Sequence, residues 1–246
     1  RKKIIQQLAD RSVNGYLFSA KDMAAPWLSA GIIRDPNKCF LCPPASSQFD
    51  VKDKSESRAK TGMGDGKQFL WVGRLNVNKD PFTVLEAFEK YFEGRADEKL
   101  YMIFQEFDLL EAVQQKIRQH PLLSKQVLLI GKKDHAALED WYNSADYYIS
   151  ASHYESFGFA PMEAIACGCV PIMSNIPASI QLVQQGKLGY LFEKGNSVGL
   201  YRVLCSLDHT DHPVRSAACR DFFSKELSPA AIASRLLQIA GSVKTK

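Results

Sequence analysis

Long hydrophobic runs are missing from this chain. No stretch approaches the roughly 18 consecutive apolar residues that cross a bilayer, so the chain does not span a membrane by itself. Cysteine pairing is missing too. The six cysteines follow no disulfide framework, and Cys39-Phe40-Leu41-Cys42 has no second pair to complete the roughly four ligands of a zinc site. With no segment resembling a signal peptide, the expectation is a reducing cytoplasm. An excess of one charge is lacking as well: 31 Lys plus Arg stand against 27 Asp plus Glu, a net charge of +4. Nucleic-acid binding calls for a basic stripe or a domain pI above about 9, so no nucleic-acid partner is expected. A small anion held by two or three local cations remains compatible. His120, His135, His153, His209 and His212 form no ligand cluster, and no Asp-x-Asp triplet sits at a strand end. No metal site is expected. Scattered Gly and Pro and the absence of a heptad exclude collagen-like and coiled-coil architectures.

What is present suits a soluble globular α/β protein: 246 residues, 46% hydrophobic, 24% charged and 11% aromatic. From Gln68 to Phe192, short apolar runs alternate with amphipathic stretches. Phe69–Val72, Leu100–Phe104, Gln126–Ile130, Tyr147–Ile149, Val170–Met173 and Gly189–Phe192 have strand length. Asp80-Pro81 opens a helix as N-cap and first residue, with Phe82, Leu85, Phe88 and Phe92 at helical spacing. A second helix opens at Asp134 and carries Ala137, Leu138, Trp141 and Ala145; a third runs from Pro161 to about Cys167 and stops at Gly168. Repeated strand–helix–strand units with apolar strands predict a parallel sheet covered on both faces, a Rossmann-like domain.

Residues 1–50 hold one strand–helix–strand fragment (Gly15–Phe18, Lys21–Ala30, Lys38–Leu41), too little for a core alone. The chain opens on Arg1 without a Met, and this region is expected to be the tail of a preceding domain. Residues 51–67, poor in apolar side chains, are expected to be a linker. The Rossmann-like domain then covers 68–225, with helices at Ser197–Leu207 and Val214–Phe223. Residues 226–246 supply a last helix, from Pro229 to Ala240, with Ile232, Leu236 and Ile239 on the face expected to pack back across the domain boundary.

Ligands of open parallel sheets bind at the carboxyl ends of the strands. After the first strand come Gly73-Arg74-Leu75 and then Lys79. Glycine lets a ligand approach the backbone, and the two cations can converge on an anion where a helix begins; alternatively both are solvated surface charges. After Tyr147–Ile149 comes Ser152-His153-Tyr154-Glu155-Ser156-Phe157-Gly158-Phe159-Ala160-Pro161-Met162-Glu163. Glu163 is expected in the first turn of its helix, where the dipole alone would account for an acid. In the functional reading, the amides of Phe157, Gly158 and Phe159 hold a phosphate or sugar, and Glu155 and Glu163 accept hydroxyl hydrogen bonds, a carboxylate suiting a vicinal diol. His153 can line the same site. The cysteines flanking Gly168 and those at 39 and 42 read as packing residues.

Taken together, Gly73-Arg74-Leu75 with Lys79, the Glu155 and Glu163 pair around Phe-Gly-Phe, and Glu163-Ala164-Ile165-Ala166-Cys167-Gly168-Cys169-Val170-Pro171 resemble the family-four retaining glycosyltransferases of GT-B fold, the glycosyl transferases group 1. The resemblance covers roughly Phe69 to Phe192. It implies transfer of a sugar from a nucleotide-diphosphate sugar to a carbohydrate, lipid or small-molecule acceptor, with retention of configuration and with neither metal nor cofactor. Arg74 and Lys79 would neutralise the pyrophosphate and stabilise the departing diphosphate. Glu163 would hold the ribose hydroxyls and Glu155 the transferred sugar. Amides of Phe157, Gly158 and Phe159 would position sugar and phosphate, and the backbone at Gly131 would meet the base edge. Relatives acting on lipid carriers work at the inner membrane face, which implies peripheral association there, although no basic amphipathic helix marks it. Where the family commonly has a Gly pair and an acid, this chain has Ile176-Pro177-Ala178-Ser179-Ile180-Gln181, and the family's Gly-rich loop of the first domain is absent, so donor binding is expected to outlast turnover in this chain. The rival readings are an inactive homologue that binds or scaffolds and a GT-B sugar-nucleotide epimerase.

Overall fold

The computed structural model describes residues 2–44, 47–156, 158–208 and 210–243. The chain forms two compact units, Arg1–Gln48 with Ser224–Lys246, and Phe49–Phe223. The first begins with α1 (Lys2–Ala9), followed by β1 (Tyr16–Phe18), α2 (Ala25–Ser29) and β2 (Cys39–Leu41). β1 and β2 pair in parallel, Tyr16 opposite Cys39. The helix expected over Lys21–Ala30 is broken in two, a 3-10 turn at Lys21–Ala24 preceding α2. Pro26 lies early in α2, where a ring without N–H is tolerated at a helix start but not further in.

The second unit opens with α3 (Lys54–Thr61) and contains β3 (Gln68–Gly73), α4 (Pro81–Tyr91), β4 (Lys99–Phe104), α5 (Leu110–Gln119), α6 (Pro121–Gln126), β5 (Val127–Gly131), α7 (His135–Ser144), β6 (Tyr147–Ser150), α8 (Phe159–Ala166), β7 (Val170–Ser174), α9 (Pro177–Leu182), β8 (Tyr190–Phe192), α10 (Ser197–Cys205) and α11 (His212–Phe222). A π-helical turn at Phe223–Leu227 leads into α12 (Pro229–Ser242), which is grouped with the first unit. The six strands of the second unit are parallel in the order β5-β4-β3-β6-β7-β8. Counted from β3, that is the 3-2-1-4-5-6 order of doubly wound folds, whose direction of winding reverses between the first and fourth strands. Ligand crevices open beyond the carboxyl ends at that switch point, here between β3 and β6.

The core explains why the strands are apolar on both sides. Phe69 of β3 is fully buried and meets Phe88 and Tyr91 edge-on, at centroid separations of 5.0 and 5.6 Å, and stacks on Tyr147 of β6 at 5.5 Å. The helical spacing of α4 therefore serves one wall of this aromatic cluster.

Residues 51–67, expected as a linker, carry α3. Asp53 caps it by accepting from the Glu56 N–H at 2.9 Å, and Gly62 ends it at φ 74°. Few apolar residues are needed because ion pairs fasten this segment to the domain. Lys52 reaches Glu139 (2.6 Å) and Asp140 (3.0 Å), and Lys54 and Arg58 reach Asp146 at 2.5 and 2.9 Å. The segment is part of the second unit, whose limits are Phe49 and Phe223 rather than 68 and 225.

Candidate functional site

The turn after β3 is built to aim Lys79. A Cβ on Gly73 would lie 3.2 Å from the Trp71 ring, tighter than the neighbouring indole allows in a packed interior. Asn76 accepts from the Lys79 N–H at 3.1 Å. Asp80 follows in the left-handed region at φ 43°, ψ 62°, accepting from Thr83 N–H (3.1 Å) and Oγ1 (2.6 Å) to cap α4. This fixed turn carries the Lys79 ammonium onto Oε1 of Glu155, an oxygen that also accepts from Ser152 Oγ at 2.9 Å. Asn78 stitches the two loops of the switch point together. Its carbonyl accepts from His153 N–H at 2.8 Å, and its side-chain amide both donates to and accepts from the Tyr154 backbone, at 3.0 and 3.1 Å. His153 lies against Asp80, Nε2 to Oδ2 3.1 Å.

Glu163 occupies a different setting from the one its spacing suggested. α8 begins at Phe159 instead of Pro161, so Glu163 lies beyond the first turn, where the helix dipole has largely faded. Its side chain is only 6% exposed, and a buried carboxylate must be paired. Tyr142 donates its hydroxyl to Oε2 at 3.1 Å, and His135 Nε2 lies 2.7 Å from Oε1. Burial above all, with the Glu163 charge second, pushes the Tyr142 hydroxyl well above its ordinary pKa, so it stays a donor. His135 stacks on Phe49, ring centroids 4.8 Å apart.

A cleft of about 300 Å³ lies beyond the ends of β3, β4 and β5 and is bounded at the switch point by Phe159, Ala160 and Glu163 of α8, the helix that follows β6. Of the residues singled out from sequence, Gly73, Arg74, Lys79, Phe159 and Glu163 line it. Glu155 is tied to it through Lys79. Gly131 and Gly158 are not among the lining residues: Gly131 ends β5 at φ 76°, and Gly158, at φ 83°, precedes α8 with its missing Cβ 3.1 Å from Pro161. Phe157 lies outside the described residues.

The cleft also contains Gln105, Lys133 and His135, which the sequence reading passed over. Lys133 and His135 follow β5 as Arg74 follows β3, so the strand-end rule applied to every strand would have found both. Tyr142 and Asn78 gave no such signal, because their partners are 21 and 76 residues away. Electrostatically the cleft favours an anion. Lys79 is paired with Glu155, but Arg74 holds Glu106 only at the exposed surface (Nε–Oε1 3.3 Å), and no ion pair engages Lys133 among the described residues. Surface pairs of the Arg74 type are worth at most about 1 kcal/mol, so Arg74 can turn to a ligand.

Comparison with known proteins bears on the family and the fold. The family model described as "Glycosyl transferases group 1" matches residues 53–204. Among curated relatives, the GDP-mannose:cellobiosyl-diphosphopolyprenol alpha-mannosyltransferase of Xanthomonas campestris is 28% identical over 129 residues, 52% of this chain and 34% of that protein. The N-acetyl-alpha-D-glucosaminyl L-malate synthase of Bacillus anthracis is 26% identical over 150 residues, 61% of this chain and 38% of that protein. This chain thus spans little more than a third of these relatives' length. Among solved structures, HepE of Anabaena in complex with UDP superposes with a TM-score of 0.80 at 17% identity, over 96% of this chain and 65% of that one. The C-terminal domain of LpcC, a glycosyl transferase group 1 protein from Francisella tularensis, gives 0.67 at 22% identity, over 74% of this chain and 96% of that one. At such identities the superpositions speak for the fold alone.

Proposed function

Because the chain belongs to the glycosyl transferases group 1 and has their GT-B fold, we propose that its second unit binds the nucleotide-diphosphate sugar of a transferase that retains anomeric configuration and uses no metal. The observation that carries this reading is the cleft at the switch point, where Arg74, Lys79 and Lys133 converge from the ends of two strands near a buried, hydrogen-bonded carboxylate, Glu163. Arg74 and Lys79, joined by Lys133, meet the pyrophosphate. Cations preorganised where charge develops on the leaving diphosphate do the work a metal ion does elsewhere. Glu163 takes the ribose hydroxyls. Glu155, fixed by Lys79 and Ser152, faces the transferred sugar, and the amides around Gly158 hold its phosphate side.

The relatives' names support a nucleotide sugar without agreeing on one, GDP-mannose in the Xanthomonas enzyme and UDP-glucose in a structure of Anabaena HepE. Their acceptors differ as widely, a diphosphopolyprenol in one and L-malate in another by name. The acceptor proposed is therefore of carbohydrate, lipid or small-molecule class. Among the described residues no helix is long and apolar enough to cross a membrane.

Variants divide the ligand between its parts. Arg74→Ala loses a charge-assisted contact of about 1.5–3 kcal/mol, roughly a ten- to hundredfold loss of nucleoside diphosphate affinity, and leaves nucleoside affinity unchanged. Glu163→Ala weakens nucleoside and nucleoside diphosphate alike. Calorimetric titration of both variants checks this, and equal diphosphate affinity in Glu163→Ala contradicts the ribose assignment. Proton NMR of the product anomer, on a donor that is turned over, tests retention.

A further inference from the structure

Each oxygen of Glu163 has a hydrogen-bond partner, and the two partners differ in kind. Oε2 is held from the interior by Tyr142, a fully buried residue. Oε1 is met by His135, whose side chain is 64% exposed, sits at the first residue of α7 and lines the cleft with its ring against Phe49. A buried carboxylate left without donors is costly, so an empty cleft needs a group at Oε1. One drawn from the solvent side can withdraw into water again with little loss. A ribose diol reaching Glu163 from the cleft requires that same oxygen.

We propose that His135 occupies the ribose-accepting oxygen of Glu163 while the cleft is empty and yields it when a nucleotide enters, and so sets the affinity for the ribose part of the ligand. This rests on the donor-site reading of the cleft. His135 acts through Glu163, as a positioning residue rather than a catalytic one. The apparent affinity is lowered by the fraction of molecules in which His135 has withdrawn; withdrawal in about one molecule in ten weakens binding about tenfold.

The test titrates the whole chain, as wild type, His135→Ala and His135→Phe, with UDP, GDP and ADP and with the 2′,3′-dideoxy counterpart of each. The Phe variant keeps an aromatic ring against Phe49 and removes both imidazole nitrogens, which guards against an effect of poor folding in the Ala variant. The expected result is ribonucleotide binding about three- to tenfold tighter in both variants, with dideoxynucleotide binding unchanged. Equal effects on both nucleotides mean that His135 merely shapes the cleft, and weaker ribonucleotide binding means that it supports Glu163 or the ligand; either overturns the inference. Wild-type binding unaltered by either variant overturns the inference and leaves the donor reading standing. Absence of binding to any protein overturns the donor reading, and this inference with it.

Discussion

Asp80 shows how one residue can carry both strain and order. A non-glycine residue at φ 43° costs on the order of 1 kcal/mol, and is tolerated here because its carboxylate caps α4 through Thr83 and meets His153. Asp80→Ala removes the cap and keeps the strain, an expected loss of about 1–2 kcal/mol. Asp80→Asn keeps a capping oxygen and tolerates the left-handed region, and is expected to stay within about 1 kcal/mol of wild type. Urea unfolding checks both, and an Asn variant as damaged as Ala would show that the His153 pair, not the cap, matters. Asp80 was legible as an N-cap because Asp-Pro before a helical run is a local signal. Its pairing with His153 was not, since that contact closes over 73 residues of chain that only the sheet order brings together. The same contrast divides the candidate site: Gly73, Arg74, Lys79 and Glu163 follow strands and could be read from position, as His135 after β5 could have been, whereas Tyr142, the interior donor to Glu163, lies further along α7 on a face toward α8 that no local pattern announces.

At the scale of elements, the strands and the helices α4, α7, α8, α10 and α11 were readable because apolar runs of strand length alternate with helical spacing, whereas α5, α6 and α9 were not singled out. α3 was not, because its attachment is ionic. A segment with Lys, Ser, Glu and Arg at most positions looks solvated until Asp146, Asp140 and Glu139 are placed beside it. Asp146 is the centre of that attachment, accepting from Lys54, Arg58 and the Gln68 N–H of β3 (2.8 Å). Asp146→Ala leaves the largely buried Arg58 guanidinium without its carboxylate partner and is expected to cost about 3 kcal/mol, a fall in Tm of roughly 6–12 °C for a domain of this size. A change below about 2 °C, measured by calorimetry, would mean that α3 is held by the Lys52 contacts instead. Opposite in kind is Phe69→Ala in the aromatic cluster of β3, α4 and β6, expected to cost about 3–5 kcal/mol through lost burial and the cavity left behind, with no dependence on salt.

The whole molecule consists of two units of unequal content. Phe49–Phe223 holds the six-stranded sheet, the apolar core and the cleft, whereas the other unit holds a two-stranded sheet. Expressed alone, residues 49–223 are expected to unfold in one cooperative transition, which far- and near-ultraviolet circular dichroism together would show. The fold class followed from the periodicity of the chain; the boundary at Phe49 did not, because it depends on Phe49 reaching back to His135 and Tyr142.

The central claim is that the cleft at the switch point is a nucleoside diphosphate site that works through its own cations. The most direct measurement is calorimetric titration of the unmodified chain with UDP, GDP and ADP in EDTA. One of them binding at one site per chain, with an affinity that magnesium does not raise and that falls as salt is added, is the result predicted. Binding by none of them, or binding that appears only when magnesium replaces EDTA, would contradict it.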